Sequence, residues 1–101
     1  MDREYQYRPE ILAELAKRGI VPKRTTPPDK VRALVGNIYV FEVRGLKVRH
    51  EEKERILGPQ PLEDYRRQVV ALREQYQPLL GLPAEAWIIT PYPPDVLALS
   101  Y

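Results

Sequence analysis

Cysteine is absent from this chain, and histidine, serine and asparagine occur once each, as His50, Ser100 and Asn37. Disulfides are therefore excluded, and nucleophilic catalysis through cysteine or a serine–histidine pair has almost nothing to draw on. A closed zinc site needs four protein ligands, mostly Cys and His, and one histidine does not supply them. The five glycines (Gly19, Gly36, Gly45, Gly58, Gly81) stand singly and far apart, so no glycine-rich phosphate loop is present. No apolar run approaches the ~18–20 residues that cross a bilayer. The opening Met1-Asp2-Arg3-Glu4 does not have the charged-then-apolar order of a secretion signal, so a soluble cytoplasmic protein is expected.

What remains is an ordinary globular composition. Apolar residues make up 44% and charged residues 30% of 101, which is far from a disordered chain and sufficient for one small core. One domain over residues 1–101 is expected, with a helical body through residue 87 and an extended segment over 88–101.

Helix punctuation appears three times. Pro9 suits a first helical position, where its missing N–H costs nothing, and Gly19 suits a left-handed cap, after which Ile20 folds back on Leu15. Ile11, Leu12 and Leu15 then share one face, with Glu14 and Arg18 paired outside it. The second start is Thr26-Pro27-Pro28-Asp29, read with Thr26 as the cap and Pro27 in the first helical position. From there Val31, Leu34, Val35, Ile38 and Phe41 keep near-helical spacing, and the next stop is Gly58-Pro59.

The stretch Asn37–Val43 is rich in β-branched and aromatic residues and also reads as a strand. No second convincing strand exists to pair with it, and an unpaired strand leaves its backbone unsatisfied, so helix is favoured. Gly36 and Gly45 then mark bends or places where another helix comes close. The third helix is expected over Pro61–Gln77, with Leu62, Tyr65, Val69, Leu72 and Tyr76 forming one seam at spacings of three and four. Pro78, Gly81 and Pro83 end the pattern, and Ala84–Trp87 adds a short turn. The fold class expected is all-α: three helices and an extended, proline-rich, apolar C-terminal segment.

Candidate chemistry is sparse. His50 and Glu54 lie one helical turn apart, but a metal would need further ligands from elsewhere, and the bland reading is a solvated helix face with Glu51 paired to Arg55. The carboxylates sit in mixed-sign runs that read as exposed faces and caps rather than a dry catalytic cleft. No enzyme activity, cofactor, metal or small-molecule substrate is inferred.

Two binding readings remain. The net charge is +2 with eleven arginines among sixteen basic residues, and Arg44, Lys47, Arg49, Arg66 and Arg67 are the candidates for phosphate contact in a small nucleic-acid-binding module. Acids interleave most basic stretches, which weakens that alternative. The favoured reading is a protein-interaction or assembly subunit, docking on another protein chain or a second copy through apolar helix surface and the C-terminal segment. Tyr92, Val96, Leu97, Leu99 and Tyr101 are its candidate contact residues. The competing explanation of that segment is that it closes over the domain's own core.

Overall fold

The computed structural model describes residues 4–89. Three helices, α1 (Pro9–Ala16), α2 (Pro28–Leu57) and α3 (Leu62–Leu80), are followed by a single 3-10 turn over Ala84–Trp87. The architecture is all-α, with α3 doubling back along the 30-residue α2 and α1 packed at one end. Asn37–Val43 lies inside α2, as expected from the lack of a strand partner.

Prolines open the helices. Pro9 begins α1 directly after Arg8, and Gly19 at φ 74° lets Ile20 donate its N–H to Leu15 O at 3.0 Å, the expected ending. The start of α2 differs from expectation by one residue: Pro27 is the cap and Pro28 the first helical residue. Thr26 is used within the preceding loop instead, its hydroxyl accepting from Lys23 N–H and its carbonyl from the Tyr7 hydroxyl.

The third helix also continues past its expected end at Gln77, through Pro78 to Leu80. Its last carbonyls find partners that the local sequence does not announce. Gly81 N–H donates to Gln77 O, the Trp87 indole to Leu79 O, and the Arg32 guanidinium to both Leu80 O at 2.9 Å and Leu82 O at 2.7 Å. Orphan carbonyls at a helix end need such partners, and here they come from across the core.

That core is small and lies at one end. Tyr7, Ile11, Leu15, Val31, Val35, Tyr76, Leu79 and Trp87 are buried together, and Trp87 is wholly inaccessible. An antiparallel bridge joins Tyr7 to Ile88, with Arg8 N–H to Trp87 O and Ile89 N–H to Gln6 O, so the two ends of the described chain meet beside the core. Four apolar residues that the helical spacing groups with the core residues are exposed. Leu12 sits at the edge of α1's buried face, Leu34 and Phe41 project from the face of α2 that α3 does not cover, and Leu62 lies at the hairpin tip, beyond the reach of α1.

Candidate interaction surface

Away from the core, the molecule is a bare pair of helices. No residue from 36 to 75 is fully buried, although almost all of that stretch is helical. The radius of gyration, 18.8 Å, exceeds the ~13 Å of a compact domain of about 100 residues.

Contacts between the two helices are nevertheless specific. Tyr76 donates its hydroxyl to the Glu42 carboxylate and packs against the Tyr39 ring at 5.1 Å. Burial first, and then the hydrogen bond to anionic Glu42, push the Tyr76 hydroxyl above its ordinary pKa. The Arg18 guanidinium lies over that ring at 4.4 Å and donates to Glu14 O and Gln75 O, tying the end of α1 to α3. Nearer the tip, His50 stacks on Tyr65 at 5.0 Å and approaches Glu54 at 3.5 Å. Among the described residues no three His, Asp or Glu side chains gather as a metal-binding group.

These contacts fix which side of α2 faces α3: Val35, Tyr39, Glu42, Leu46 and His50. The opposite side carries exposed apolar residues among polar ones. Leu34, Phe41 and Val48 recur every seven residues, and Phe41 is 77% and Val48 60% exposed. Between the last two lies Gly45, where an added Cβ would meet only the end of the Arg49 side chain at 3.6 Å. Among the described residues, no other helix comes within 4 Å of a Cβ added at Gly36 or Gly45. A shallow groove of about 190 Å³, lined by Phe41, Glu42, Gly45, Leu46, Arg49 and Leu72, runs along its flank. At the tip Ile56, Leu57 and Leu62 are also more than half exposed.

No family model, curated protein or solved structure matches this chain. The surface itself is therefore the basis for a functional reading.

The basic candidates are all exposed, but they do not form one patch. Arg44 and Arg49, five residues apart, point roughly 140° from each other around α2, and Arg49 lies in the groove beside Gly45. Arg66 and Arg67 are exposed on α3. The expected Glu51–Arg55 pair is absent, because Arg55 reaches Glu52 instead, and among the described residues neither Arg44 nor Glu51 makes an ion pair. Tyr92, Val96, Leu97, Leu99 and Tyr101 lie outside the described residues. No described helix is long and apolar enough to cross a membrane.

The sequence reading grouped Phe41 with the apolar residues at near-helical spacing and did not single out Val48. The signal was available in the seven-residue recurrence of Leu34, Phe41 and Val48. A second apolar stripe on a helix that already has one is the mark of a second partner.

Proposed function

We propose that this protein is a non-enzymatic interaction or assembly subunit that docks through the apolar surface of the α2–α3 hairpin, with the C-terminal segment as a further contact. The observation that carries the reading is the 36–75 stretch, an ordered helical hairpin in which no residue is fully buried. Phe41, Val48, Ile56, Leu57 and Leu62 lie on the outside of the hairpin, and this many large apolar side chains left in water on one small helical hairpin favours an interaction surface. Arg49 points away from the Arg44 and Lys47 side of α2, which favours an apolar interface over a phosphate-binding one, because phosphate recognition needs several cations presented together.

The test is site-specific photocrosslinking in the native host. A photoreactive phenylalanine analogue at Phe41 or Val48 should crosslink to a protein, while the same group at Lys30, next to the core, should not. The recovered protein, once purified, should slow amide exchange over 41–70. No crosslink above the Lys30 control, or no slowing, would remove the reading.

A further inference from the structure

We infer that the partner presents an acidic, apolar-faced peptide segment to the flank of the hairpin turned away from α1, where Lys47, Arg66 and Arg73 lie together. The inference rests on the interaction reading above and adds the chemistry of the partner.

The contacts of Tyr39 with Tyr76 and of His50 with Tyr65 set the register of the hairpin, so residues 43–50 of α2 run beside residues 65–72 of α3. Neither stretch contains an Asp or Glu. The flank on the α1 side is marked by the residues that line its clefts, Arg49 and Gln68 nearer the tip and Gln75 beside Arg18. Residues two apart on a helix point about 160° from each other. Lys47 stands two before Arg49, Arg66 two before Gln68 and Arg73 two before Gln75, so these cations turn to the opposite flank. All are exposed, and among the described residues none of them makes an ion pair. Valines lie between them. Val40 and Val43 precede Lys47 by seven and four residues, and Val69 stands three after Arg66 and four before Arg73, so each helix offers basic and apolar side chains on one strip. Val40 is exposed, and Val43 and Val69 are half-buried. Acids on this side of α2 begin at Glu51, one turn closer to the tip.

This mixture discriminates between anionic partners. A phosphate backbone matches the cations but offers nothing to the valines, and strong phosphate binding needs more contacts than Lys47, Arg66 and Arg73 supply. The hairpin tyrosines that would stack bases, Tyr39, Tyr65 and Tyr76, are turned into the contact between the helices. A peptide with carboxylates on both sides of an apolar strip satisfies the whole flank, because the arginines take carboxylates bidentately while the valines are covered. Arg66 and Arg73 are about 10 Å apart along α3, a spacing that two turns of a partner helix reproduce.

The experiment is an NMR titration of the full chain with a short helical peptide that carries leucine along one strip and glutamate on both sides of it. The same peptide with glutamine for glutamate and a short DNA duplex are the comparison probes. The glutamate peptide should bind saturably and shift the amides around Lys47, Val69 and Arg73, and the glutamine peptide should bind about tenfold or more weakly. Lys47→Glu with Arg66→Glu should weaken the glutamate peptide by a similar factor. Arg49→Glu with Lys53→Glu makes the same change in net charge on the other flank and should leave binding close to wild type. All four sites are exposed, so thermal midpoints should stay near wild type and folding does not confuse the result. No saturable shift, equal binding of the glutamine peptide, or equal losses from the two charge-reversed pairs would each overturn the inference. A duplex bound more tightly than the glutamate peptide would also overturn it and assign the flank to phosphate. If it fails while the crosslinked protein still slows exchange over 41–70, the partner chemistry is wrong and the interaction reading stands. If that protein is missing too, both fail.

Discussion

The indole nitrogen of Trp87 donates to the carbonyl oxygen of Leu79 at 3.1 Å, and both side chains are fully buried. One residue thus fills the core and satisfies a carbonyl near the end of α3, joining the last described turn to the helix before it. Trp87→Ala should cost about 3–5 kcal/mol through the cavity and the orphaned carbonyl. Trp87→Phe retains much of the volume and should cost less. Urea unfolding followed by circular dichroism checks both, and a loss below about 1 kcal/mol for the alanine variant would mean that the turn is not part of the core.

Arg32 is the second clasp on the same helix end. Its guanidinium bridges Leu80 O and Leu82 O from α2, a two-point hydrogen bond that the flexible ammonium of lysine does not reproduce. Arg32→Lys should therefore destabilise almost as much as Arg32→Ala, by about 1–3 kcal/mol, whereas Lys30→Ala on the exposed face should fall within about 0.5. Equal small effects at all three would show the bridge to be incidental.

The sequence was most readable where a rule is local. Pro9, Gly19 and Ile20 specify α1 and its ending through backbone geometry alone, and the lack of a strand partner decided Asn37–Val43 in favour of helix. It was less readable where the deciding group is distant in the chain. The ending of α3 depends on Arg32 and Trp87, which no window around Pro78 contains, and the loss of the Thr26 cap depends on Tyr7. The inward seam of α3 was read correctly at Tyr76 and too far at Leu62, because periodicity gives a face and not the length over which that face is covered.

Stability should fall at high pH through Tyr7. Burial, assisted by the nearby Tyr5 and Asp29, pushes its hydroxyl up to about 12, and that hydroxyl donates to Thr26 O at 2.6 Å. In the unfolded chain a tyrosine titrates near 10. The folded pKa is raised, so the contribution is fully present below about 10 and is lost as pH rises toward about 12, where the unfolded state has already released its proton. Urea midpoints at pH 9 and 11 should separate more for wild type than for Tyr7→Phe. Tyr76 also has a raised pKa and keeps part of the dependence in that variant. An unchanged slope would mean that Tyr7 ionises without cost to the fold.

The uneven distribution of burial should be visible in amide exchange. Local opening costs least where few apolar contacts must be broken, and the eight core residues lie on α1, at the start of α2, at the end of α3 and in the neighbouring segments. In dilute protein, amides around Leu15, Val35 and Leu79 should exchange only through global unfolding. Those between residues 44 and 70 should exchange much faster despite being helical. Uniform protection in dilute protein would show that two helices suffice to hold the hairpin.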